Sequence, residues 1–136
     1  MIRRFTRPVA ALLLLVGGIV HYDLWTKGYR HIPHIGPLFL ANFVGSLALA
    51  AAVVRRRRFA VDMVGIAFAA GSLSALVLSR TVGFFGFTEF AWTPLAVKTV
   101  LAEVGVILAL GIAVITHIRD AHDLDRPQVA PSASRA

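Results

Sequence analysis

The sequence predicts an all-α protein, a bundle of four transmembrane helices. Hydrophobic residues make up 57% of the 136 residues, and the mean hydropathy is +0.75. A soluble domain of this size does not bury that much apolar surface. A helix needs about 20 apolar residues to cross a bilayer, and four stretches roughly meet that length. They cover residues 8–25, 37–54, 59–79 and 93–118.

The boundaries of these stretches are marked in the sequence. The first follows arginines, as the apolar part of a signal peptide would, but no small-residue cleavage pattern comes after it. We therefore predict that it is a retained helix. The second stretch ends at a run of four arginines, and the third begins directly after that run. The fourth begins at Thr93 and ends before a polar tail.

One domain and a short tail are predicted. The connections between the four stretches are short, which indicates a single transmembrane domain over residues 1–118. Residues 119–136 include Pro127 and Pro131 and few apolar side chains, so we expect a polar, disordered tail. The chain has no cysteine, which excludes disulfides and thiolate metal sites.

The positive charges predict the orientation of the bundle. Of the fourteen Lys and Arg residues, three precede the first helix, four lie between the second and third, and three follow the fourth. Such segments are typically cytoplasmic, so both termini are predicted to lie on the cytoplasmic side of a bacterial plasma membrane. The central run anchors this topology beside anionic lipid headgroups, and we expect no nucleic-acid partner. It consists of Arg55, Arg56, Arg57 and Arg58.

Four polar residues are predicted to lie within the membrane, where each needs a partner or a role. They are Glu103, Asn42, Lys98 and Ser46. Glu103 lies about 15 Å of helix beyond Thr93, which places it near the bilayer midplane. We expect Glu103 to face the bundle interior, either protonated or hydrogen-bonded to Asn42 or to serines of the second and third helices. Proton or ion passage and contact with a partner helix are alternatives. Lys98 is expected to extend toward the surface.

The two outer connectors hold the densest cluster of metal-ligand residue types. The candidates are His21, Asp23, His31, His34 and Glu89. Imidazole and carboxylate groups suit Zn²⁺ or Cu²⁺, so a metal ion is one interpretation. Hydrogen bonding of these side chains to the loop backbone is the other, because His31 and His34 flank Pro33 and need not share a helical face. We otherwise expect no cofactor.

The second outer connector is rich in phenylalanine and glycine. It contains Phe84, Phe85, Phe87 and Phe90 around Gly83 and Gly86. This composition predicts a re-entrant or lid-like segment that lies on the bundle. Glu89 is expected to form an ion pair with Arg80 or Arg30, which would hold the two connectors together. A pocket for a lipid or quinone headgroup beneath the phenylalanines is an alternative.

Small residues recur at four-residue spacing, as in Ala41 and Gly45 and in Ala67, Gly71 and Ala75. Small residues let transmembrane helices approach closely. These faces therefore predict either packing within the bundle or contact with a second copy.

Parts of the chain resemble two groups of known membrane proteins. Residues 28–42 with 83–89 resemble a group of small four-span membrane proteins of actinobacteria, which implies this topology over residues 8–118. The patterns Asn42-Phe-Val-Gly45-Ser46 and Phe87-Thr-Glu-Phe90 are similar to those of Fluc-type fluoride channels, which would imply fluoride conduction. In this chain Glu89 and Ala91 replace the threonine and serine of that family, and an acidic residue disfavours an anion path.

Three functions follow as hypotheses. The first is an accessory, assembly or interaction subunit of a larger membrane complex, since the sequence shows no catalytic constellation and no domain outside the membrane. The second is a small dimeric transporter or channel that uses Glu103. The third is a protein that binds a metal, quinone or lipid at its outer face. Membrane lipid, a membrane-protein partner and a second copy of the chain are the expected partners.

Overall fold

A computed structural model describes residues 5–124 of the chain, and these residues form four long helices. The helices are α1 (Thr6–Thr26), α2 (Ile35–Arg55), α3 (Phe59–Thr81) and α4 (Pro94–Leu124), with a short 3₁₀-helix at Tyr29–His31. All four are long and apolar enough to cross a membrane. The prediction of an all-α, four-helix transmembrane protein is therefore confirmed over the described residues.

The helices extend further than the sequence predicted. His21 and Asp23, which we grouped with the outer connector although the predicted first stretch 8–25 includes them, lie in the last two turns of α1, and Arg80, one residue beyond the predicted third stretch, lies in the last turn of α3. Polar side chains near the bilayer surface are compatible with helix as long as they reach water or a partner. The predicted tail 119–136 is helical as far as Leu124, and its remainder lies outside the described residues.

The helices run alternately up and down, with α1 and α4 at the centre of the arrangement. α1 packs along both α2 and α4, and α3 packs along α4, whereas α2 and α3 touch at few places. We call the end of the bundle that holds connectors 27–34 and 82–93 the loop face. We call the opposite end, which holds connector 56–58, the terminal face. The weak α2–α3 contact leaves a gap on one side of the bundle.

Glycines allow the close contacts that hold the bundle together. A Cβ added to Gly18 would lie 2.8 Å from the Ser46 Cβ, so α1 and α2 approach closely at this point. Gly65 likewise leaves room for the side chain of Leu110, which a Cβ at that position would displace. Because lipid supplies no hydrophobic drive between helices, such close packing is a main source of stability.

The apolar core occupies the half of the bundle nearer the terminal face. Its fully buried members are Ala10, Ala11, Leu14, Ala50, Val53, Ala69, Val106, Ala109 and Leu110. These residues come from all four helices. The half nearer the loop face is packed differently, around polar side chains and a cavity.

Candidate functional site

A cavity of about 430 Å³ lies between α2 and α3, in the half of the bundle nearer the loop face. Its walls come from both of these helices, from the ends of α1 and α4, and from the connector 82–93. The cavity follows from the helix arrangement, because α2 and α3 make few direct contacts. Its volume lies in the range that small-molecule sites occupy, about 300–1,000 Å³.

The length of the cavity corresponds to about one leaflet of a bilayer. Arg80 lines it near the loop face, and Phe68 lines it near the middle of α3. These residues are twelve apart in the helix, or about 18 Å at the α-helical rise. Half of a hydrocarbon core of about 30 Å is about 15 Å. The cavity is therefore about as long as one leaflet of the hydrocarbon core is thick.

A tight turn of the connector 82–93 covers the mouth of the cavity. Phe84 and Phe87 exchange backbone hydrogen bonds of 2.8 and 2.9 Å, and both side chains line the cavity. Phe85 and Gly86 form the tip of the turn with positive φ angles of 49° and 76°, as a type I′ turn requires. The predicted lid-like segment thus corresponds to a two-residue hairpin turn over the pocket.

Gly83 and His34 hold this turn in place: Gly83 ends α3 before the turn, and His34 contacts its tip. α3 ends at Thr81, and Gly83 follows with φ of 92° and donates its N–H to the Leu78 carbonyl oxygen. A glycine in this conformation is a common helix terminator. The ring of Phe85 stacks on His34, with ring centroids 5.4 Å apart. The connector therefore contacts the start of α2 across the gap.

The mouth of the cavity is polar and balanced in charge. The Tyr29 hydroxyl donates to Glu89 Oε2 at 2.7 Å, and Arg80 Nη1 lies 3.9 Å from the same oxygen. Arg80 also donates to the backbone carbonyl oxygen of Glu89, and its guanidinium carbon lies 5.1 Å from the ring centre of Trp92. Burial and the neighbouring Glu89 carboxylate raise the pKa of Tyr29 to about 12.

The middle of the cavity is apolar. Leu38 and Phe39 of α2 face Ala75 and Leu76 of α3 across it. Phe39 also packs against Tyr29, with ring centroids 5.1 Å apart. The apolar stretch therefore separates the polar mouth from a second polar group at the inner end.

A chain of hydrogen bonds forms the inner end of the cavity. Ser46 donates to Asn42 Oδ1 at 3.3 Å, and Asn42 Nδ2 donates to Ser72 Oγ at 3.0 Å. Ser72 in turn hydrogen-bonds to Glu103, which is only 3% exposed. Asn42 and Ser72 line the cavity, and Glu103 lies behind them against Gly17. The structure thus places Glu103 in the bundle interior and connects it to the cavity wall.

The five residues considered as metal ligands do not converge. His21 Nδ1 bonds the Gly17 carbonyl oxygen at 2.8 Å, and Asp23 pairs with Lys27 at 2.7 Å. The remaining three have separate partners: His31 with Arg30, His34 with Phe85, and Glu89 with Tyr29 and Arg80. Within residues 5–124 no group of three or more His, Cys, Asp or Glu could hold a metal ion. The hydrogen bonds and ion pairs of these five side chains match the alternative interpretation, and the metal site stays a prediction.

The remaining predicted polar residues are the two arginines considered as partners for Glu89, Lys98 and the run of four arginines. Of the two arginines considered as partners for Glu89, Arg80 makes that contact, and Arg30 donates to His31 instead. Lys98 is exposed on α4, beside Asp23 in a shallow groove between α1 and α4. The four arginines between α2 and α3 are all exposed. Of Arg80, Arg30, Lys98 and these four arginines, only Arg80 lines the main cavity.

One buried ion pair was not anticipated from the sequence. Asp62 of α3 is fully buried, and its Oδ2 accepts from Arg7 Nη2 of α1 at 2.6 Å. The pair links two helices that otherwise make little contact, near the terminal face. The signal was available, since Asp62 is an acidic residue four positions into a helix that follows a run of arginines. A charged residue so close to a helix end is more readily interpreted as a surface group.

Comparisons with protein-family models, with curated proteins and with solved structures find no match to this chain.

Proposed function

We propose that this protein binds a single-chain amphiphile in the cavity between α2 and α3. The observation that carries the proposal is the pocket itself, which joins a polar mouth to an apolar wall. A binding site for a small molecule is typically a mostly apolar cavity with a few fixed polar groups. A ligand with one apolar chain and one polar head matches this order of surfaces.

The positive charges support an orientation for this site. Arg55 to Arg58 and Arg7 lie at the terminal face, and basic segments are typically cytoplasmic. In the orientation we propose, the loop face lies at the outer surface of a bacterial plasma membrane, and both chain ends lie on its cytoplasmic side. The amphiphile then enters from the outer leaflet through the gap between α2 and α3.

Photocrosslinking tests the proposed function. A single-chain acyl probe that carries a diazirine is incubated with the purified protein in micelles, irradiated, and located by peptide mass spectrometry. We expect adducts on the cavity residues Phe39, Ala75 and Leu76, which are partly buried. Adducts confined to outward-facing residues such as Leu12 and Val64, which are exposed on α1 and α3, would contradict the proposal.

A matched pair of variants controls for nonspecific labelling. Ala75→Trp places an indole ring in the cavity, because Ala75 lines it. Ala48→Trp adds the same ring to an exposed position of α2 outside the cavity. We expect Ala75→Trp to abolish the cavity adducts and Ala48→Trp to leave them unchanged. Equal labelling of the cavity residues in both variants would contradict the amphiphile hypothesis.

A transporter function is the second candidate, and the hydrogen-bond chain favours it. The cavity reaches Asn42 and Ser72, and Ser72 bonds the buried Glu103. Buried acidic residues within a membrane commonly serve in proton or ion passage. Proton flux into proteoliposomes would be lost in Glu103→Gln if Glu103 carries protons. Flux that is equal in the wild type, in Glu103→Gln and in protein-free liposomes would exclude this function.

The accessory-subunit hypothesis stays a prediction. The exposed apolar faces of α2 and α3 leave room for a partner helix or a second copy. Affinity purification from the native membrane tests it, and a stoichiometric partner protein is the expected result. A chain that purifies alone would count against this role and leave the amphiphile proposal untouched.

A further inference from the structure

The head group that suits this cavity is determined by Arg80. The Arg80 side chain lines the cavity and is only 8% exposed. Its contacts with Glu89 use Nη1, and within the described part of the chain its buried Nε has no hydrogen-bond partner. A buried donor without a partner costs free energy, about 1–3 kcal/mol and more for a charged group. An acceptor atom on a ligand would remove that cost.

The surroundings of Arg80 restrict the direction from which an acceptor can come. Trp92 covers one side of the guanidinium at 5.1 Å, and the backbone of Glu89 occupies Nη1. Nε has almost no exposed surface in this conformation, so the proposed hydrogen bond requires the Arg80 side chain to rotate toward the cavity. The cavity is the open space beside Arg80 from which such an acceptor can approach.

The charge at the mouth indicates that the acceptor is uncharged. The Glu89 carboxylate lies 3.9 Å from Arg80 Nη1 and balances the positive charge of the guanidinium. A carboxylate ligand at Nε would lie close to Glu89, and two like charges in a poorly solvated site repel each other strongly. An ester or ketone oxygen accepts the same hydrogen bond without that repulsion.

We propose that the cavity selects a chain with an uncharged carbonyl head, such as an ester-linked acyl chain, whose oxygen accepts a hydrogen bond from Arg80. This inference rests on the amphiphile-binding function proposed above. The position of Arg80 fits it, because an acyl ester in a bilayer has its carbonyl near the surface and its chain within one leaflet. Arg80 is about 18 Å of helix from the inner end of the cavity, which leaves room for the chain.

Energy transfer from Trp92 measures this binding. Trp25→Phe leaves Trp92, beside Arg80, as the only tryptophan. The probe is the methyl ester of parinaric acid, a fluorescent acyl chain, and methyl palmitate, palmitate and hexadecane compete with it in detergent micelles. Concentrations are expressed as mole fractions of the micelle, so that partitioning does not bias the comparison.

We expect methyl palmitate to displace the probe about tenfold better than hexadecane, as one hydrogen bond to a charged donor predicts. Palmitate should be weaker than its ester in the wild type, and Glu89→Gln should reverse that order. Arg80→Met should remove the advantage of the ester. Because Arg80→Met also loses the Glu89 contact and could fail to fold, the wild-type and Glu89→Gln comparisons stand without it.

The outcomes separate the inference from the function on which it rests. If hexadecane and methyl palmitate compete equally, the carbonyl assignment is wrong, although the cavity still binds a chain. If palmitate is preferred to its ester in the wild type, the uncharged-head assignment is wrong. If the probe shows no saturable transfer from Trp92, both the function and the inference fail. Competition by a lysophosphatidylcholine with the same acyl chain identifies a single-chain lipid as the ester, and its absence identifies a free ester.

Discussion

Tyr29 reports on the environment of the cavity mouth. Burial and the Glu89 carboxylate raise its pKa from 10.0 to about 12. In the Tyr22→Phe variant Tyr29 is the only tyrosine, so ultraviolet absorbance follows its ionisation alone. We expect a pKa of about 12, and a lower pKa in Glu89→Gln because the negative neighbour is gone. An unchanged pKa in Glu89→Gln would contradict the contact between the two connectors.

The same shift predicts how stability depends on pH. The folded state binds the Tyr29 proton more tightly than the unfolded state, so this contribution is complete below about pH 10. It is lost as the pH rises through about 12. Thermal unfolding between these pH values should show a steeper loss of stability in the wild type than in Tyr29→Phe. Parallel curves would show that Tyr29 does not carry this dependence.

The ion pair of Arg7 and Asp62 is the second test at the residue scale. Removing one partner of a buried pair leaves an uncompensated charge, which typically costs about 3–5 kcal/mol. We expect Arg7→Met to be strongly destabilised and Arg7→Met/Asp62→Leu to recover most of the loss. Thermal unfolding in micelles measures the cycle. Additive losses in the double variant would mean that the two side chains do not interact.

Individual polar residues were the least predictable part of this chain. The depth of Glu103 followed from counting residues, and the structure places it in the interior beside Ser72. The sequence indicated that Pro33 separates His31 from His34, but their partners, Arg30 and the ring of Phe85, are not revealed by a linear pattern. Asp62 was missed because its partner is 55 positions away in the chain.

At the scale of the helix, Gly18 tests how α1 and α2 pack. Gly18→Ala places a methyl group 2.8 Å from Ser46 Cβ, so the helices must separate. We expect a loss of about 1–3 kcal/mol, as overpacking typically costs. Gly111→Ala is the matched control, since a Cβ there meets nothing within 4 Å. Circular dichroism during heating should show a lower midpoint for Gly18→Ala alone, and equal midpoints would contradict the packing.

The helices themselves were predictable because their signal is local. A run of about 20 apolar residues is sufficient to indicate a span, and each of the four predicted stretches corresponds to one helix. The helix ends were less predictable, since α1 and α2 begin two residues earlier than predicted and Arg80 is polar yet helical. The α2–α3 gap was not predictable from either helix alone, because it depends on how α1 and α4 pack against their neighbours.

At the scale of the whole molecule, the two halves of the bundle have different roles. The half nearer the terminal face has a close-packed apolar core and a buried ion pair. The half nearer the loop face has a cavity, a hairpin turn and a hydrogen-bond chain. Local stability differs across a fold, and binding sites are commonly in the less densely packed part. We therefore expect the half with the cavity to be the less stable of the two.

The central claim is that one amphiphile occupies the cavity, and native mass spectrometry of protein purified from its own membrane tests it most directly. We predict one bound molecule of amphiphile mass per chain in the wild type and in Ala48→Trp, and none in Ala75→Trp, where the indole obstructs the cavity. A wild-type chain without an adduct, or an adduct that persists in Ala75→Trp, would contradict this claim.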